Sequence, residues 1–340
     1  MSETDRRVAV LENAHLRAVV DLDRGADLVG LSHRPTAREV LFQMPPRAAR
    51  NSNSLPAEYS SSSSFFDAYP GGMQQVFPNG GPSCTYLGSE LGFHGEACKV
   101  AWEAERFEHA ERVDVVCRTR LSRVPVSMET TYSLGADDRC LRISAKLANE
   151  SSQLLDCMWG FHPAFGAAIT GGSSTLYAAA DSAEVHHEQM SPGQLLAPGE
   201  RLPWPQGRDR RLDVLFPSAG PSADLFYLRP QEGWYVLANR DEGLAVTMTW
   251  DPQMLPYLWV WQECHDRAGY PWFGQHHIVA VEPWSSMPSS GLPEAKARGT
   301  ALMLPGDATL ETELRLGVAE IDRADVPIGV SPTGRIECRA

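Results

Sequence analysis

Four short stretches of the 340-residue chain set ionisable side chains among apolar residues and glycines, where proton-transfer chemistry could be housed. The most instructive is QHHIVAVEPWSSMP, residues 275 to 288. Side chains alternate between the faces of an extended strand, so His276, Ile278, Ala280 and Glu282 share one face and His277, Val279 and Val281 the other. Both faces are apolar between the ends, the pattern of a strand buried on both sides. A carboxylate at the end of such a strand is costly unless it is paired or used. Glu282 is therefore a satisfied structural acid or a catalytic one. In MWGFHPAFG, His162 sits between aromatics and directly before a proline; LGFHGEACKVAW reads as a strand with His94 and Glu96 on one face. The fourth and weakest stretch is SADLFYL, where Asp224 leads an aromatic strand.

Taken singly, a histidine among aromatics is more often a hydrogen-bonded core residue, and a strand-end glutamate more often a cap or an ion-pair partner. Two histidines and a glutamate in semi-buried aromatic settings form an acid–base set if the fold brings them into one pocket. A metal reading of His276, His277 and Glu282 is disfavoured, because adjacent strand residues point to opposite faces and cannot both ligate. No metal and no cofactor is expected. The chain has no G-x-S-x-G nucleophile elbow, no G-x-G-x-x-G and no P-loop.

The elements that must position these groups read as strands. RVAVLEN, LRAVVDLD, VDVVCRTRLS, VSMETTYSL, CLRISAKLAN, GWYVLAN and LAVTMTW are short, rich in Val, Thr, Leu and aromatics, and bounded by turn residues. ENAHL, GADDR, NESSQ and NRDEG read as their connections. Helical periodicity is not evident, and 28 glycines and 25 prolines fit many turns. The expected fold class is all-β, a large antiparallel sandwich, as a single domain over residues 1–340 with a peripheral tail after about 321. The serine-rich start of residues 49–83 reads as a loop, and its following aromatics and glycines as a segment laid over the sandwich near a site. A second long loop is expected from Ser191 to Asp213.

The composition narrows the functional classes. A net charge of −13 without a basic block disfavours nucleic acid as a partner. No apolar run reaches membrane-spanning length, and MSETDRRVAVLEN lacks the apolar core of an export signal. Seven cysteines without a C-x-x-C pair read as reduced thiols. A cytoplasmic monomer or homodimer, with neither nucleic-acid nor membrane partner, is expected.

GFHGE followed by Trp102, then GFHPAFG, DLFYL and HHIVAVEPWSS, resembles the aldose 1-epimerase (galactose mutarotase-like) family in order and separation. The resemblance runs from LRAVVDLDRGADLVGLSH to AVEPWSS, with the His-Gly and VEPW elements its most specific parts. It implies a galactose mutarotase-like supersandwich with the sugar in a groove on one sheet, and cofactor-free interconversion of the α and β anomers of a free aldose. Carried over to this chain, it makes Glu282 the general base and His162 the general acid. It makes His94 a substrate-binding partner and Asp224 a ligand for sugar hydroxyls. Phe93, Trp259, Trp261 and Trp272 are candidates for stacking on the apolar sugar face, with at least half of these tryptophans expected to fill the core instead. The family's arginine in an N-R-I stretch has no match; GGMQQVFPNGG takes its place, which makes Gln74, Gln75 and Asn79 candidates for that contact. Arg47 and Arg50, in the loop upstream, are candidates for reading an anionic group. Alternative functions are a non-catalytic carbohydrate-binding sandwich and a related sugar isomerase or lyase.

Overall fold

The computed structural model describes residues 6–44, 61–171, 174–215 and 220–339. Two large antiparallel sheets, of eleven and eight strands, carry the fold. The larger runs Val8–Glu12, Leu16–Asp21, Asp27–His33, Met73–Val76, Gly160–Phe165, His277–Trp284, Tyr257–Cys264, Ser222–Leu228, Ser182–Val185, Arg201–Pro203, with Arg38–Glu39 paired to the third. The smaller runs Ser174–Ala178, Trp234–Asn239, Leu244–Trp250, Thr309–Glu320, Cys140–Asn149, Val126–Gly135, Arg112–Arg120, Glu103–Glu108. The seven segments read as strands from their alternation all form strands, and the sandwich is all-β as expected.

Alternation locates the core. In Cys140–Asn149, Leu141, Ile143, Ala145 and Leu147 are buried, while Arg142 and Lys146 pair with Glu313 and Glu311 of the next strand. Such exposed pairs contribute little; burial of the apolar face holds the strand. The central strands of the larger sheet are instead buried on both faces, as the opening stretch required. One face, with Phe161, Phe226, Val260, Val279 and Val281, belongs to the main core shared with the smaller sheet. The other carries His162, Leu225, Trp259, Trp261 and Glu282, and it floors a cavity.

Three connections roof that face. The helix Ser61–Asp67 and the following Tyr69 lie in the stretch expected to cover the site, although the serines there were read as loop. The aromatic pair Phe65 and Phe66 explains the helix: it sets two rings beside Phe93 and Trp272. Residues 77–98 and 265–276 add Phe93, His94, Arg267 and Trp272, and Glu188, Met190 and Ser289 line the cavity from further connections. Arg47 and Arg50 lie outside the described residues. Beyond Ile321 the chain forms the hairpin Pro327–Val330 and Ile336–Cys338, whose Val330 and Ile336 pack on Trp234, Val236 and Ala238. Among the described residues no helix is long and apolar enough to cross a membrane.

Candidate active site

Strand register brings the acid–base candidates together. Gly160 opposes Trp284 and Ala164 opposes Ala280, so His162 stands across from Glu282 between these pairs. His162 is also opposite Gln74, Glu282 opposite Trp259, and Trp259 opposite Tyr227. Residues directly opposite in antiparallel strands share a face. A single row across five strands therefore reads Gln74, His162, Glu282, Trp259, Tyr227. Pro163 and Pro283 flank the pair, one on each strand, and neither can donate to the ladder.

Glu282 Oε1 lies 3.6 Å from His162 Nε2, and both side chains are buried. The other carboxyl oxygen, Oε2, accepts the indole N–H of Trp284 at 2.9 Å. Trp284 is fixed in turn by stacking on Trp259, centroids 4.0 Å apart and planes 12° apart. This stack leaves no room over Gly160, where a Cβ would lie 2.1 Å from the Trp284 ring. Gly160→Ala is accordingly expected to destabilise the fold by about 3 kcal/mol through overpacking and to dislodge the N–H from Glu282. A urea midpoint within error of wild type would show that the ring can yield freely.

Burial sets the protonation of the pair. It pushes the Glu282 carboxyl up to about 8, with only the Trp284 hydrogen bond opposing. It pulls His162 down to about 4. The resemblance called for a carboxylate and an imidazolium at rest; desolvation favours the neutral forms of both instead. Between these values the pair holds one proton, resting on Glu282.

His94 approaches from the roof. The stretch around it is not the strand expected: His94 has φ +55°, and Ala97–Lys99 is a short 3-10 turn. Two bonds clamp it to Gly81, from the His94 N–H to the Gly81 carbonyl at 2.9 Å and from the Gly81 N–H to Nδ1 at 3.1 Å. Nδ1 is thus an acceptor and the ring proton of the neutral form is on Nε2. Burial, the neighbouring His162 and Lys99 hold His94 well below the usual imidazole range. Its ring centroid is 5.6 Å from that of His162. Glu96 has a structural role: its carboxylate accepts the N–H groups of Ser122 and Arg123.

The cavity has a volume of about 280 Å³. Phe93, Trp259, Trp261 and Trp272 line it, joined by Phe65, Phe66 and Tyr69 from the helical segment. Trp259 contributes little surface, being 1% exposed, with its indole N–H given to the Ser286 carbonyl.

Three predicted contacts lie elsewhere. Gln75 alternates to the core face, where its Oε1 accepts the Thr130 hydroxyl of the smaller sheet at 2.6 Å. Asn79 is a loop staple: Nδ2 donates to Pro82 and Gly92, and Oδ1 accepts the Leu292 N–H. Asp224 faces away from the cavity neighbour Leu225; it caps the N–H groups of Leu195 and Leu196 and pairs with Arg210 at 2.9 Å. Gln74 is on the His162 face but fully buried, with Nε2 bonded to the Gly71 carbonyl. None of the four lines the cavity. His186, Glu188 and Arg267 do, and the sequence reading missed all three. A second adjacent histidine pair, His186-His187, was the available signal for the first. His276 packs on Phe42 and Trp272, whereas His277 stacks near His265. Among the described residues no three His, Cys, Asp or Glu side chains are placed to share a metal ion.

The chain belongs to the DUF4432 family, a domain of unknown function whose model matches residues 3–318. No curated protein matches it in sequence. Among solved structures it is similar to a protein of Synechocystis sp. PCC 6803, at 17% identity and TM-score 0.67 over 94% of this chain and 99% of that one. A galactose mutarotase-like protein of Clostridium acetobutylicum gives 14%, 0.67, 94% and 97% in the same order. A galactose mutarotase related enzyme of Lactobacillus acidophilus gives 16%, 0.62, 93% and 99%. The fold is therefore that of the galactose mutarotase-like proteins, the supersandwich expected from the sequence.

Proposed function

We propose that this protein is a sugar mutarotase that interconverts the α and β anomers of a free aldose by acid–base ring opening and reclosure. The observation that carries this reading is the buried Glu282–His162 pair, 3.6 Å apart, in an aromatic cavity of monosaccharide size. The mutarotase-like neighbours support it at the level of fold.

Anomerisation needs one acid and one base. The base takes the proton of the C1 hydroxyl as the C1–O5 bond breaks and a carbonyl forms at C1, while the acid protonates O5. Rotation about C1–C2 and the reverse transfers then close the ring on the other face. The enzyme pair keeps one proton throughout. Neutral Glu282 with neutral His162 and the carboxylate–imidazolium form are tautomers of one pair, and each offers a matched acid and base. His94 would donate its Nε2–H to a sugar oxygen, and the aromatic walls would cover the apolar ring face and exclude water.

The test is polarimetry on a freshly dissolved single anomer across pH. Above about 8 the pair loses its only proton and the acid is gone. Below about 4 His162 gains a second proton and the base is gone. A plateau of kcat/KM between these limbs is expected. A rate that climbs steadily with pH would be ordinary hydroxide catalysis and would remove the pair from the reaction. The carbohydrate-binding alternative leaves a matched acid and base without a task.

A further inference from the structure

Proton transfer at Glu282 and His162 leaves one buried histidine of the cavity without a task. His186 follows the strand Ser182–Val185, its N–H bonded to the Leu225 carbonyl at 2.9 Å. It lines the cavity beside Leu225 and Trp259. Its Nδ1 lies 2.6 Å from the Tyr227 hydroxyl, and that hydroxyl accepts the Ser289 N–H at 2.9 Å. The hydroxyl hydrogen therefore goes to Nδ1, and the neutral ring carries its own proton on Nε2. Burial keeps the ring neutral, with its pKa pulled down to about 4.

The support of His186 meets that of His94. Gly81 gives its N–H to His94 Nδ1, and a Cβ on Gly81 would lie 2.3 Å from the Ser289 carbonyl oxygen. The two segments thus touch, one holding His94 and the other, through Tyr227, holding His186. Tyr227 stands two strands from Glu282 in the row across the sheet, about 10 Å at about 4.8 Å per strand. That is the reach of one pyranose ring with a hydrogen bond at each end. A sugar with C1 at Glu282 can therefore bring a hydroxyl remote from C1 to His186.

Glu188 supplies the complementary group. Its Oε2 is 3.8 Å from His186 Nε2, beyond hydrogen-bond length, and both residues line the cavity. Its Oε1 is 3.8 Å from Nε2 of His187. A donor and an acceptor at this separation leave room for one oxygen that bonds to both. A carboxylate or phosphate only accepts, and it would meet the Glu188 charge. A hydroxyl accepts from Nε2–H and donates to Oε2.

Resting on the mutarotase reading, we infer that His186 and Glu188 read one hydroxyl of a neutral aldose, remote from C1, and so set the specificity of the site. Tyr227 is the positioning residue that fixes the His186 tautomer. The net charge of −13 accords with a neutral substrate.

The experiment compares anomer exchange of glucose with that of 3-deoxy-, 4-deoxy- and 6-deoxyglucose, in wild type, His186→Phe and Glu188→Ala. A site built around a hydroxyl rejects the analogue lacking it, because its own polar groups are left unpaired. In wild type one deoxy sugar should fall below glucose in kcat/KM by at least about tenfold, and its missing hydroxyl is the one read. In His186→Phe glucose should drop to the level of that deoxy sugar, while its ratios to the other two stay as they are. The Glu188 side chain is 69% exposed, so Glu188→Ala opens no core void and guards against a folding defect at His186. The same ratio should shrink there. Three deoxy sugars that wild type treats like glucose, or a ratio unchanged in both variants, would overturn the inference. If none of the four exchanges faster than in buffer, the mutarotase reading fails, and ligand-observed NMR binding of the same sugars decides. A deoxy penalty in binding that is lost in either variant then sustains the inference; equal binding of the four, or no binding, overturns it.

Discussion

Glu282→Gln is expected to abolish anomer exchange, with a loss of about 10²–10⁴-fold, and at the same time to make the protein more stable. The two effects have one cause. Glutamine keeps the shape and an oxygen for the Trp284 N–H, but it can neither hold nor release the proton that the pair shares. In the wild type, burial raises the Glu282 pKa from 4.5 to about 8. A carboxyl whose folded pKa lies above its unfolded value binds more protons when folded. Its contribution is fully present below the unfolded value and is lost as pH rises toward the folded one. At pH 7 this cost amounts to about 3 kcal/mol, at about 1.4 kcal/mol per unit of pH above 4.5. Glu282→Gln removes it. Urea unfolding should show the variant ahead of wild type at pH 7, with the advantage shrinking toward pH 4.5. A variant that unfolds more easily than wild type at pH 7 would mark Glu282 as a structural acid.

His162→Asn is expected to lower turnover by a comparable factor, about 10²–10⁴, with a distinct signature in pH. His162 is assigned the limb near pH 4 and Glu282 the limb near pH 8. Residual activity of the variant should therefore lose the acidic limb and keep the alkaline one. Loss of activity with both limbs intact would mean that His162 only shapes the cavity. His162 Nδ1 has no hydrogen-bond partner among the described residues, so the substitution breaks no bond there.

The parts of this arrangement that sequence disclosed are those governed by strand periodicity. The seven alternating segments, the doubly buried Glu282 strand and the sharing of one face by Ile278, Ala280 and Glu282 all follow from a period of two. The four aromatics found lining the cavity were named with the family resemblance, and two of them, Phe93 and Trp272, sit on connections rather than strands. The failures also have a common origin. Where both faces of a strand are buried, residue type does not reveal which face is which, and Gln75 and Asp224 point away from the cavity for that reason. The His94 segment alternates like a strand, yet its shape is decided by the clamp to Gly81, thirteen residues earlier. Gln74, Gln75 and Asn79 occupy the region where an arginine was sought, whereas the cavity's arginine, Arg267, comes from a connection after a distant strand. No local pattern marks such a residue.

The protonation of the pair was the other feature hidden from sequence. The family resemblance called for a carboxylate facing an imidazolium. Burial of both groups reverses the preference, because each charged form loses hydration and only the Trp284 N–H supports the carboxylate. What remains is a pair poised to pass a single proton, which suits a reaction whose forward and reverse steps use the same two transfers.

The most direct measurement is NMR magnetisation transfer between the α and β anomeric protons of neutral, carboxylated and phosphorylated aldoses, with wild type and Glu282→Gln side by side. Exchange accelerated by wild type and absent with the folded variant is the predicted result. Sugars that bind the wild type but exchange no faster than in buffer would contradict the account and leave a carbohydrate-binding sandwich in its place.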